Sequence, residues 1–233
     1  MPNNSTFNRS ELYIELESLI NETTNQRERE CHRYLEKIPQ ILLRNPFFDI
    51  SSVQSGYATP SGISDYIVAA KVSTEGGYNC RRAYIWELKS PQCFIFEKDT
   101  RSRVRPTKEL ISAENQLLHY YQDCKGMDIF RDQFEITCQD EIYMGGIIIG
   151  SERTQVDVTE GFYDDSTKQY LYMKALRVRE RNFYSCCNIK VYTWNAILNL
   201  LPKQPIIGEH AEGSMQQSEY NIPENMQVGE DSL

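Results

Sequence analysis

Residues 84–89 read Tyr-Ile-Trp-Glu-Leu-Lys, and their alternation decides how the chain is read. Successive side chains of a strand point to opposite faces. Tyr84, Trp86 and Leu88 then share one apolar face, and Ile85, Glu87 and Lys89 share the other. A carboxylate and an ammonium two residues apart emerge at one place, beside a face suited to packing. One strand upstream, the apolar run Ile63 to Val72 is interrupted by Asp65. An acid inside a core strand is costly unless it is paired, bound to a metal or at the margin of the sheet.

Working outward, Gly76-Gly77 marks the turn between these two strands, and Ser90-Pro91 stops the second. Cys93 to Phe96 is expected as a short third strand. Pro106 suits the first turn of a helix running to about Cys124, with Leu110, Ala113, Leu117 and Tyr121 on its apolar side. Ile142 to Gly150 reads as a strand buried on both faces, because Ile147-Ile148-Ile149 does not alternate. A helix is expected over 166–181, a strand over 189–192 and a last helix over 194–201. Upstream, Ser10 caps a helix to about Ile20, and a charged helix follows from about Asn25 to Lys37. Residues 51–62, rich in Ser, Gly and Pro, read as a loop, and 151–165 as an acidic loop. The predicted fold is α/β: a mixed central sheet flanked by helices. It divides into an N-terminal helical segment (1–50), a core (51–205) and an acidic, disordered tail (206–233).

Composition narrows the function. The net charge is −8, which argues against a nucleic-acid partner until its distribution is considered. Residues 209–233 hold six acids and no Lys or Arg, so residues 1–208 carry only −2. No apolar run is long enough to span a bilayer, and the polar N-terminus lacks a signal-peptide core, so a cytoplasmic protein is expected. The seven cysteines are scattered without a CxxC pair; free, mostly buried thiols are expected, not a zinc or redox site. No phosphate-cradling glycine loop or Ser/His/Asp signature appears, and no organic cofactor is expected.

Asp65, Glu87 and Lys89 together fit phosphodiester hydrolysis. Two carboxylates are hard oxygen ligands suited to Mg²⁺, with Mn²⁺ as the alternative. A nearby lysine can place the attacking water and offset charge in the transition state. Taken alone, a Glu-x-Lys tripeptide is common and reads as an exposed edge-strand ion pair. Downstream, Gln116 and Tyr120 stand four apart on one helix face.

The order Asp, Glu-x-Lys, then Gln-x-x-x-Tyr on a helix resembles the PD-(D/E)XK nucleases. Other segments resemble the Shedu-type anti-phage defence nuclease domain of that superfamily: Tyr34 to Pro39, Trp86 to Pro91, Glu114 to Tyr121, Gly145 to Gly150 and Val191 to Leu198. The resemblance covers about residues 28–201. It implies a restriction-endonuclease-like core and a metal-dependent DNA endonuclease, acting in anti-phage defence and assembling into homo-oligomers. Asp65 and Glu87 would bind Mg²⁺, Lys89 would be the catalytic lysine, and Gln116 would orient a water, a phosphate or Lys89. Ser64 stands where many members have Pro, and Thr193, Trp194 and Asn195 stand where acids often occur, so no role is carried onto those three. An acid of the first helix sometimes assists in this fold; Glu28, Glu30 and Glu36 are the candidates.

The DNA contact is expected at Lys98, Arg101, Arg103, Arg105 and Lys108, between the Glu-x-Lys strand and the Gln-x-x-x-Tyr helix. Lys174, Arg177, Arg179 and Arg181 form a second, weaker patch. The alternative reading is a catalytically inactive module that uses the same fold to bind DNA or a protein partner.

Overall fold

The computed structural model describes residues 9–23, 27–43, 48–73, 79–99, 103–158 and 163–201. Arg101 and the tail from 206 lie outside them. A five-stranded sheet in the order β1-β2-β3-β6-β8 organises the molecule. Its strands are β1 (Phe48–Thr59), β2 (Gly62–Ser73), β3 (Asn79–Leu88), β6 (Ile142–Ile148) and β8 (Lys190–Tyr192). The pairs β1–β2 and β2–β3 are antiparallel, and β3–β6 and β6–β8 are parallel, so the sheet is mixed. A smaller three-stranded sheet contains β4 (Phe96–Lys98), β5 (Val104–Pro106) and β7 (Val156–Asp157).

Alternation along β2 and β3 sorts the core into two layers. Tyr66, Val68, Ala70, Trp86 and Leu88 pack against α1 (Arg9–Asn21), α2 (Glu28–Lys37), a 3-10 turn (Pro39–Leu43) and α7 (Trp194–Leu198). Leu12, Leu16 and Ile20 recur every four residues and supply the buried stripe of α1. Ile67, Ala69, Ala83 and Ile85 face the other way, onto α3 (Lys108–Gly126), α4 (Asp128–Phe134) and α5 (Asp165–Arg179). A π-helical turn (Glu180–Tyr184) and α6 (Ser185–Cys187) continue α5.

Gly145 and Gly146 form a bulge, where the β3 partner steps from Met144 to Gly146. A Cβ on Gly145 would lie 2.3 Å from Nε1 of Trp86, and one on Gly146 would lie 2.1 Å from the Lys190 carbonyl oxygen. The bulge shifts the alternation by one residue. Ile142 and Met144 therefore share the α3 face with Ile147 and Ile149, while Ile148 enters the opposite layer.

Several expectations are corrected. Residues 51–59 belong to a long edge strand; a register shift between Ile50 and Ser52 and a positive φ of 69° at Gly56 break its alternation. Only Pro60 and Ser61 remain as turn. The short strand expected at 93–96 begins at Phe96. Pro106 ends β5 instead of opening the helix; Thr107 is the cap, its hydroxyl accepting from the Leu110 amide. The helix α1 starts at Arg9, so Ser10 lies within it. The acidic loop at 151–165 contains a 3-10 turn and β7. Of the seven cysteines, three are buried, two half-buried and two (Cys138 and Cys186) exposed, all free.

Candidate metal and acid–lysine site

The site forms where the β2–β3 ladder ends. Tyr66 pairs with Trp86, so one step further Asp65 and Glu87 stand opposite each other on the α3 face. The Asp65 carboxylate takes over the ladder there, accepting from the Leu88 amide at 2.8 Å. The Lys89 backbone is held on both sides. Its N–H donates to the Ile148 carbonyl at 2.8 Å, and its carbonyl accepts from the Trp194 indole at 2.7 Å. With the backbone fixed, the Lys89 ammonium donates to Oε1 of Glu87 at 2.5 Å.

Glu87 is 1% exposed, and its second oxygen, Oε2, has no hydrogen-bond partner among the described residues. Burial pushes its carboxyl up to about 8, Asp65 within hydrogen-bonding reach pushes the same way, and Lys89 only partly offsets them. Burial pulls the Lys89 ammonium down, but Glu87, Asp65 and Glu28 outweigh it, and Lys89 ends above the usual lysine range. An orphan oxygen on a buried acid, beside a second acid, is the signature of a position built for a cation or a shared proton. Among the described residues no group of three or more His, Cys, Asp and Glu side chains is placed to hold a metal ion. Any cation here would have two carboxylates and fill its remaining positions with water, which suits Mg²⁺ better than zinc.

Of the three acids left open on the first helices, Glu28 is the one whose charge reaches Lys89 and the neighbouring Cys93 thiol. Glu30 is engaged with Arg27 at 3.1 Å and Glu36 with the Ser55 hydroxyl at 2.6 Å. The turn after β3 explains the choice. Gln92 donates to the carbonyls of Leu19 and Glu22 at the end of α1 and accepts from the Arg27 amide at 3.2 Å. That turn pins the start of α2, which carries Glu28. Sequence reasoning missed Gln92 in this role; only its position directly after the Glu-x-Lys strand hinted at it.

Gln116 does not reach the acids through any hydrogen bond found among the described residues. Its amide donates to the Tyr120 hydroxyl at 3.5 Å, and Tyr120 is the group that senses Glu87, Asp65 and Lys89. Asp123 ties this helix to the β1–β2 turn by accepting from the Ser61 amide at 2.8 Å.

The expected basic loop is a β-hairpin, and its register supplies counter-charges. Arg105 pairs with Glu97 directly across the ladder at 2.8 Å, and Arg103 with Asp99 at 2.9 Å. Lys98 donates to the Tyr163 hydroxyl and lies over its ring. Lys108 is exposed at the start of α3. None of these cations is among the leading charges felt by Glu87 or Lys89. In the second patch, Arg179 is withdrawn into a cluster with Glu114 and Tyr184, whereas Lys174, Arg177 and Arg181 are exposed.

Several cavities lie away from this cluster. Two of about 710 and 460 Å³ are lined by α5 and its surroundings. The acid–lysine cluster sits at a sheet end, with Glu87 buried and Asp65 and Lys89 half-buried. The chain matches no family model, and no curated protein resembles it closely enough to count as a relative. No helix among the described residues is long and apolar enough to cross a membrane.

Proposed function

We propose that the chain is a metal-dependent DNA endonuclease with a restriction-endonuclease-like core, cutting or nicking phosphodiester bonds at Asp65, Glu87 and Lys89. One observation carries the reading: Glu87 is buried with an orphan oxygen, next to Asp65 and in contact with Lys89. Burial and the second acid make Glu87 costly to ionise, and once ionised its second oxygen needs a ligand. Asp65 and Glu87 would hold Mg²⁺ or Mn²⁺. A bound divalent cation supplies a water of lowered pKa and neutralises charge on the phosphate. Lys89, anchored through its backbone, presents its ammonium to the phosphate or to that water. Glu28 adds negative potential that keeps Lys89 protonated. Arg103, Arg105 and Lys108 are exposed and available to backbone phosphates, the first two after exchanging their carboxylate partners. The anti-phage role and homo-oligomeric assembly rest on the resemblance to Shedu-type domains.

The test is plasmid nicking with Mg²⁺, Mn²⁺ or EDTA. Cleavage is expected with either metal, and it should disappear in EDTA and in Lys89→Ala. Metal-independent cleavage, or full activity in Lys89→Ala, sinks the mechanism. The closed Lys89–Glu87 contact favours a second reading, a catalytically inactive module that binds DNA or a protein partner. Calorimetry separates the two, because that module takes up no Mg²⁺.

A further inference from the structure

A cavity of about 370 Å³ lies between α5 and the β4–β5 hairpin. The hairpin supplies Phe96 and Val104, and the helix supplies Leu171, Ala175 and Val178, which recur at three- and four-residue steps on one side of α5. Set among these apolar walls are three cations, Arg103, Lys174 and Arg179, and no acid. Such a space suits a body without polar edges that carries a negative head.

The three cations are not equally spent. Arg103 donates through Nε to Asp99 at 2.9 Å. Arg179 is held from behind: Nε donates to Oε1 of Glu114 at 2.9 Å and to the Tyr184 hydroxyl at 3.1 Å, and Nη2 donates to the other oxygen of Glu114. Tyr184 donates to Oε1 of Glu114 at 2.5 Å. The π-helical turn after Arg179 makes this closure possible, because its wider ring returns Tyr184, five residues on, to the arginine. Nη1 of Arg179 has no partner among the described residues and is not sealed from solvent. Lys174 is exposed, with no ion pair among the described residues. Glu114 and Asp99 thus balance two of the three charges, and Lys174 leaves one positive charge for the head. A fixed guanidinium with an unused N–H edge loses little freedom when it takes a ligand.

We propose that this cavity binds a small monocarboxylate with a hydrocarbon body, its head taking a hydrogen bond from Nη1 of Arg179 and pairing with Lys174. The body lies against Phe96, Val104, Leu171 and Ala175, whose side chains offer a nucleobase or a sugar no polar partner. The site shares no residue with Asp65, Glu87 and Lys89, and it stands whether or not the chain cuts DNA.

The experiment is calorimetry on the full chain with decanoate and naphthoate, which tell an acyl from an aryl body, and with decanol and acetate, which carry the body or the head alone. One or both of the first two should bind, decanol roughly 10-fold more weakly than decanoate, and acetate not at all. Lys174→Met keeps the length of an exposed side chain and should weaken the carboxylates roughly 5- to 10-fold while leaving decanol unchanged. Val178→Asp, also at an exposed position, sets a like charge beside the head and should act in the same direction. Melting temperatures of both variants should match the wild type. Amide resonances locate the ligand: those of residues 103–106 and 171–179 should move, and those of 65 and 87–89 should not. Uptake of neither carboxylate, equal affinity for decanoate and decanol, undiminished binding by Lys174→Met, or shifts centred elsewhere each overturns the proposal.

Discussion

Replacing Glu87 by Gln should make the metal-free protein more resistant to alkali while abolishing metal uptake. The carboxyl is raised in the fold from an ordinary 4.5 to about 8, chiefly by burial. For an acid this sign means that the fold prefers the protonated form. The contribution to stability is complete below the unfolded value, near 4.5, and is lost as pH rises through the folded value, near 8. Each pH step in that window costs about 1.4 kcal/mol, and the whole displacement is worth about 5 kcal/mol. Glu87 is almost fully buried, so solvent screening takes little from this figure. In a chain of this size it corresponds to roughly 10–20 °C in melting temperature. Gln keeps the shape of the protonated acid and cannot ionise. In the wild type Lys89 titrates above the usual lysine value of 10.5, outside the window; because Glu87→Gln removes the first of the charges that hold it there, the comparison is repeated in a Lys89→Met background. The assay is urea unfolding in EDTA between pH 5 and 9, for wild type and Glu87→Gln. The two stability curves should diverge steadily with rising pH, and Mg²⁺ should restore the wild type alone. Parallel curves would mean that Glu87 is ionised in the fold at neutral pH, and the argument from its burial would fall.

Three further outcomes follow from the packing. Asp65→Ala strips the Leu88 amide of its acceptor and should cost about 1–3 kcal/mol, whereas Asp65→Asn keeps an acceptor and should unfold nearly as the wild type; neither should bind Mg²⁺ in calorimetry. Glu114→Ala leaves the Arg179 guanidinium and the Tyr184 hydroxyl without their shared carboxylate, and should cost about 3–5 kcal/mol in urea unfolding, with Glu114→Gln intermediate. Gly145→Ala drives a methyl group into the Trp86 indole, so a loss of several kcal/mol is expected, while Gly126→Ala, with no atom within 4 Å, should leave the melting temperature within about a degree.

What could be read from the sequence was set by local periodicity. Alternation in 84–89 put Glu87 and Lys89 on one face, and the acid interrupting 63–72 fell on the strand that pairs there. The long helix carrying Gln116 and Tyr120 announced itself by its apolar spacing. Strand β1 did not, because a register shift and a left-handed glycine erase its alternation, leaving Ser and Gly to look like a loop. The charge balance of the basic stretch could not be read for a related reason. Counting charges along 98–108 left out Glu97, and only the hairpin register sets Glu97 against Arg105. The choice among Glu28, Glu30 and Glu36 likewise needed tertiary contacts, the bonds from Gln92 to α1 and α2.

These contacts bear on how the site keeps its shape. Asp65 is held by the Leu88 amide, Lys89 by Ile148 and Trp194, and Tyr120 is hemmed in by Gly62, so three of the four polar groups are positioned by backbone or by packing. Glu87 alone is positioned by a charge, the Lys89 ammonium. A site whose backbone is held in place and whose buried acid is raised to about 8 resists self-neutralisation: without a cation, the cheapest state keeps the proton on Glu87 and avoids a buried anion beside Asp65. Cation uptake then has to displace that proton, so affinity should fall about tenfold for each pH unit below 8. The same burial that makes Glu87 costly to ionise thus ties occupancy of the site to both metal concentration and pH.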